Sequence, residues 1–154
     1  MMGGTIICGV RDSSDGRSAA ELAHALRVRL GLRLVLVHVV DGVPPGTEGS
    51  LTARQRQTGG EYILNAISRE LGSGTEKRIV LGDRAEGVAQ VAAEEGADLI
   101  VLGSRSMGLG GRKLRCTLAR ELESATPVPV LVAPPSTRKR SNHRLSLAAN
   151  ASAP

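Results

Sequence analysis

Five short runs fit for β-strands recur along the chain, with stretches of helical spacing between them, and this alternation leaves few folds open. The runs are Thr5–Val10, Arg33–Val40, Thr75–Leu81, Leu99–Leu102 and Val128–Ala133. Most are apolar nearly throughout and too short for a helix, the mark of strands covered on both faces. Between them, Arg17–Leu30 places Ala19, Leu22, Ala23, Leu26 and Leu30 on one helical face and ends at Gly31. Ala53–Leu71 carries a stripe of Ile63, Leu64, Ile67 and Leu71 behind a Thr52/Gln55 capping box, with Gly59-Gly60 weakening its first half. Asp83 and Glu86 cap a helix over Arg84–Glu95 that ends at Gly96, and a last helix spans Thr117–Ser124. Pro127 and Pro129 flank the final strand, a placement that fits an edge or a strand start. Strand and helix in turn predict an α/β domain: an open, doubly wound, five-stranded parallel sheet with helices on both faces. Right-handed crossovers give strand order 3-2-1-4-5.

That order sets the switch point between the first and fourth strands, where such sheets bind ligands beyond the carboxyl ends. Two signals meet there. One is the turn after Val10, Arg11-Asp12-Ser13-Ser14-Asp15-Gly16. The other is the loop Gly103-Ser104-Arg105-Ser106-Met107-Gly108-Leu109-Gly110-Gly111, followed by Arg112, Lys113 and Arg115 and a helix start at Thr117. Glycines, cations and a helix start suit an anionic ligand; a surface loop with solvated charges is the competing reading.

Composition narrows the partners. Tyr62 is the sole aromatic residue, so stacked single-stranded nucleic acid lacks a platform. The net charge of +5 resides mainly in residues 136–154, where Arg138, Lys139, Arg140 and Arg144 face no acid; the remainder holds 16 basic against 15 acidic residues. No apolar run approaches the roughly 20 residues of a membrane span. No leader pattern opens the chain, and Cys8 and Cys116 are too few for a disulfide framework. A cytoplasmic protein with neither nucleic-acid nor membrane partner is expected. The domain is expected over residues 1–135, with 136–154 a disordered basic tail.

Catalytic motifs fail on inspection. The glycine loop lacks a Walker lysine, no Gly-x-Gly-x-x-Gly follows the first strand, and Ser106 has Ser104 where the elbow needs its first glycine and no histidine in the fold after it. The scattered His and Cys residues give no metal spacing. His38, inside the second strand, reads as a hydrogen-bonded, half-buried histidine rather than a catalytic one.

The chain nevertheless resembles the universal stress protein family over residues 4–134. The resemblance lies in Val10-Arg11-Asp12 after the first strand, His38-Val39-Val40-Asp41 closing the second, Gly82-Asp83-Arg84-Ala85-Glu86 before the third helix, Gly103-Ser104-Arg105 after the fourth strand, and the terminal Pro127-Val128-Pro129-Val130-Leu131-Val132. It implies an adenine nucleotide alpha hydrolase-like fold and a stress-response regulator that binds ATP or AMP, with Mg2+ as an accompanying ion. The implied site is Val10, Arg11, Asp12, Val39 and Leu102 around adenosine, with Gly103, Arg105, Ser106, Gly108, Cys116, Thr117 and Leu118 around the phosphates. Against the family's Gly-x-x-Gly, nine residues, Gly-Ser/Thr, two glycines are replaced, by Ser106 and Cys116. Each adds a Cβ where phosphate oxygens approach backbone N–H groups. The resemblance also implies a homodimer through antiparallel pairing of the last strand, with Val128, Val130 and Val132 near the axis. Three readings stay open: a nucleotide-binding regulator, a family member without nucleotide that works as a dimeric interaction module, and a slow ATPase.

Overall fold

A computed structural model describes residues 3–11, 14–44, 46–72, 74–104 and 117–134. Among the described residues the elements follow in order: β1 (Thr5–Gly9), α1 (Ser14–Leu30), β2 (Arg33–Val40), α2 (Leu51–Leu71), β3 (Thr75–Leu81), α3 (Arg84–Glu95), β4 (Leu99–Gly103), α4 (Thr117–Ala125) and β5 (Val130–Ala133). The five strands form one sheet in the order β3-β2-β1-β4-β5, every neighbour parallel, as the alternation predicts. The tail expected over 136–154 lies outside the described residues.

The period of two along a strand divides the core into two layers. Ile6, Cys8, Leu34, Leu36 and Val101 pack with Ala19, Ala20 and Ala23 of α1 and Leu64 and Ile67 of α2. Ile7, Val35, Val37, Ile100 and Leu102 pack on the other face with Ala85, Val88, Val91 and Ala92 of α3 and Ala119 and Leu122 of α4. Without aromatic rings, small alanines bring the helices down onto branched strand side chains. Tyr62 stands outside this core on α2, 77% exposed. Cys8 has no exposed surface, and burial pushes its thiol up to about 12.

The caps fall partly as expected. Asp83 accepts from the Glu86 N–H at 3.1 Å, and Gly96 closes α3 in the left-handed conformation at φ 63°. For α2 the cap is Ser50, not Thr52. The Ser50 backbone is extended and its Oγ accepts from the Ala53 N–H at 3.2 Å, which starts the helix at Leu51 and leaves Thr52 inside the first turn. Gly60 does not break α2, because a close contact requires it: a Cβ there would stand 2.5 Å from His38 Cδ2 and 2.7 Å from Ile79 Cδ1. Its neighbour Gly59 faces open space.

The last strand is shorter than expected. It starts at Val130, because the Val128 N–H donates to Thr126 Oγ1 at 3.2 Å and Pro129 offers the sheet only its carbonyl, which accepts from Ile100 N–H at 2.9 Å. Val128 and Val130 pack inward against the α3/α4 layer, whereas Leu131 and Val132 are exposed.

Candidate functional site

The sheet opens where its topology reverses. β1 stays paired with β2 as far as Gly9↔Val37, and β4 with β5 as far as Gly103↔Ala133. The β1–β4 ladder ends earlier, at Cys8↔Val101. Beyond that pair the two central strands follow their outer partners, and a crevice begins between their carboxyl ends.

The floor of the crevice is apolar. Leu102 is buried against the α3/α4 layer, and a Cβ on Gly9 would stand only 3.0 Å from its Cδ2, so the bare glycine lets leucine lie across the end of β1. Val39, half-buried, joins the same layer. Gly87 of α3 is there for the same reason: a Cβ on it would meet Val39 at 3.1 Å and Val80 at 3.0 Å. Val10 belongs elsewhere. Its side chain is buried in the α1/α2 layer, on the opposite face from Val39 and Leu102, and only its backbone borders the crevice. Its N–H donates to the Val37 carbonyl at 2.9 Å. Arg11 follows, exposed.

Two groups at the rim carry signals the sequence reading passed over. Ser104, half-buried just past β4, has its Oγ buried with no hydrogen-bond partner among the described residues. A buried hydroxyl without a partner is costly inside a protein and calls for a polar group to satisfy it. Its place within Gly-Ser-Arg pointed to the backbone there, not to the hydroxyl. Asp41, just past β2, is held twice: Arg84 Nε contacts its Oδ2 at 2.8 Å, and Arg56 Nη1 donates to its carbonyl at 2.9 Å. The polar wall beside Val39 is thereby fixed in place.

Of the residues singled out from sequence, Val39, Leu102 and Gly103 come together at the crevice, with the Val10–Arg11 backbone opposite. Thr117 begins α4, and Leu118 packs half-buried against the α3/α4 layer. Asp12, Arg105, Ser106, Gly108 and Cys116 lie outside the described residues. Among the described residues no cluster of metal ligands forms, and no helix is long and apolar enough to cross a membrane.

An open α/β sheet of this order, split at its switch point, defines the class of doubly wound parallel-sheet domains. The chain belongs, within that class, to the universal stress protein family, whose family model matches residues 2–134. A universal stress protein from Thermus aquaticus, in the QAH/OAS sulfhydrylase 3' region, is 29% identical over 137 residues, covering 83% of this chain and 96% of the relative. The crystal structure of a family protein from Burkholderia pseudomallei superposes with a TM-score of 0.66 at 27% identity, covering 84% and 94% of the two chains. An Arabidopsis thaliana family protein with AMP bound superposes at 0.62 with 20% identity, covering 88% and 94%; at that identity the likeness is one of fold.

Proposed function

We propose that this chain is a cytoplasmic stress-response regulator that binds an adenine nucleotide between the ends of β1 and β4, and that it senses the nucleotide rather than turning it over. The early end of the β1–β4 ladder supports this reading, because beyond Cys8↔Val101 the two central strands part, with apolar Leu102 and the Ser104 hydroxyl just past that point on β4. A ribose hydroxyl or a phosphate oxygen satisfies that group. Three structural neighbours are named as complexes with cAMP, dAMP and AMP, whose shared chemistry is adenine, sugar and one phosphate. Leu102 and Val39 would hold the base, the Val10–Arg11–Asp12 turn its edge, and Gly103–Ser106 with Cys116–Thr117 the phosphates. Mg2+ enters only with a triphosphate that it accompanies.

Ser106 and Cys116 stand where family members of the ATP-binding kind have glycine, so the phosphate half is the weakened half. AMP is expected to lose less affinity than ATP. Cys116→Gly should tighten ATP by about 1–2 kcal/mol, roughly five- to thirtyfold, and Ser106→Gly by less, since serine donates to an oxygen itself. Calorimetry with AMP and ATP tests this, together with mass spectrometry of small molecules released by denaturing fresh protein. No adenine nucleotide released and no heat from either, even in the double glycine variant, overturns the reading.

The bare edge of β5 favours a second activity compatible with the first. Leu131 and Val132, 39% and 37% exposed, face outward from an edge strand. We propose a homodimer paired along this strand, the surface through which a nucleotide-free interaction module would also work.

A further inference from the structure

His38 lies behind the crevice. Its ring is half-buried in β2, and Nδ1 stands 3.1 Å from the Val10 carbonyl oxygen. A carbonyl only accepts, so Nδ1 carries the hydrogen and the ring donates. The acceptor lies one residue past the end of β1 and shares its peptide unit with the Arg11 N–H. From the α1 side Gly16 meets this backbone: a Cβ there would stand 2.8 Å from the Arg11 nitrogen, in the same unit, and 2.5 Å from the Arg11 oxygen, in the next one. The first turn of the helix is therefore seated on the Arg11 backbone. Behind the ring, Gly60 of α2 leaves room that a Cβ would fill, 2.5 Å from Cδ2 and 3.1 Å from Nε2. The Val10 N–H is itself fixed by the Val37 carbonyl. The Val10–Arg11 peptide plane is thus pinned by a ring hydrogen bond and a helix turn, the Gly9–Val10 plane just before it by a strand hydrogen bond, and the ligand turn departs from this pair.

We propose that His38 is a positioning residue for the nucleotide turn: the ring, seated in the notch at Gly60, orients the Val10–Arg11 peptide and so the adenosine edge of the crevice. This rests on the nucleotide reading above. Asparagine presents an amide N–H close to where Nδ1 stands, whereas leucine keeps the apolar bulk and loses the donor. Gly60→Ala leaves the ring chemistry intact and pushes the ring off its seat, and Gly59→Ala, on the same helix with open space around it, is the control.

AMP affinity by calorimetry and hydrogen exchange of the Arg11 amide are measured on the full chain for wild type, H38N, H38L, G59A and G60A. H38L and G60A should bind AMP on the order of tenfold more weakly, the loss of one positioning hydrogen bond. H38N and G59A should stay within about threefold of wild type, and the Arg11 amide should exchange faster only in H38L and G60A. H38L binding AMP as tightly as wild type overturns the proposal. So does equal loss in H38L and H38N, which would make the ring a packing group. If wild type takes up no AMP, the nucleotide reading fails by itself and the amide decides: faster exchange in H38L and G60A than in H38N and G59A upholds the positioning role, and equal rates overturn it.

Discussion

β3 and β5 both close the same sheet, and they close it differently. β3 runs seven residues and shows solvent Glu76 and Lys77, with Arg78 next in line. Its charges are tied back into the fold: Arg78 pairs with Glu94 at 2.6 Å and Glu95 at 2.8 Å, Arg33 bridges Glu76 and Glu95, and Lys77 Nζ donates to Asn65 at 2.8 Å. β5 is four residues long and presents Leu131 and Val132 with no charge among them. A strand edge that carries charge repels a second strand, and an apolar one invites it. One edge is finished, and the other is left ready for a partner.

The largest effect should come from charging the bare edge. Leu131→Lys forces a cation into a strand–strand interface and should weaken self-association on the order of a hundredfold. Sedimentation at micromolar concentration should show monomer for the variant and dimer for wild type; a wild-type monomer would remove the premise. The reverse experiment is gentler. Glu76→Val with Lys77→Val strips β3 of its exposed charges, and concentration-dependent species larger than the dimer should appear in light scattering. Unchanged scattering would mean that strand length, not charge, protects that edge.

Acid should act on one edge only. Arg33 holds the Glu76 carboxylate below the ordinary 4.5, and Arg78 and Arg33 do the same for Glu94 and Glu95. Groups whose folded pKa is depressed stabilise the fold above the unfolded value and lose that contribution as pH falls through the folded one. Glu76 and Glu94 are solvent-exposed and Glu95 is half-buried at the rim, so the loss is small and salt reduces it further. Hydrogen-exchange protection, taken relative to the intrinsic rate at each pH, should fall in β3 between pH 5 and about 3 and stay unchanged in β5. The smallest effect belongs to the middle of the sheet. Cys8 should resist alkylation in the folded protein until the pH nears its raised value of about 12; ready reaction at neutral pH would show that β1 opens.

Most of the fold could be read from sequence because its signals are local. Asp83 three residues before Glu86, and Gly96 after the last helical residue, say where α3 begins and ends whatever surrounds them. Strand order followed from alternation and handedness alone. Reasoning went astray where a distant partner decides. Gly60 read as a weakness in α2, yet the ring of His38 and the tip of Ile79 require it. Thr52 read as a cap, but the extended Ser50 backbone took that role two residues earlier. Val128 read as strand until Thr126 captured its N–H. Of the residues expected at the site, Val39 and Leu102 share the α3/α4 layer. Val10 turned its side chain to the other layer, because strand parity sets the face, and counting from Cys8 would have shown it. The Ser104 hydroxyl could not be noticed before its surroundings were built, since an orphan is defined by what fails to reach it.

The lone Tyr62, placed outside a core without rings, has an optical consequence. The protein absorbs little in the near ultraviolet, and what it does absorb reports on the outer surface of α2. An adenine retained through purification would therefore dominate the spectrum of the folded protein. Its stacking on Leu102 and Val39 would show as induced circular dichroism against almost no background, so binding can be followed without a label or a reporter substitution.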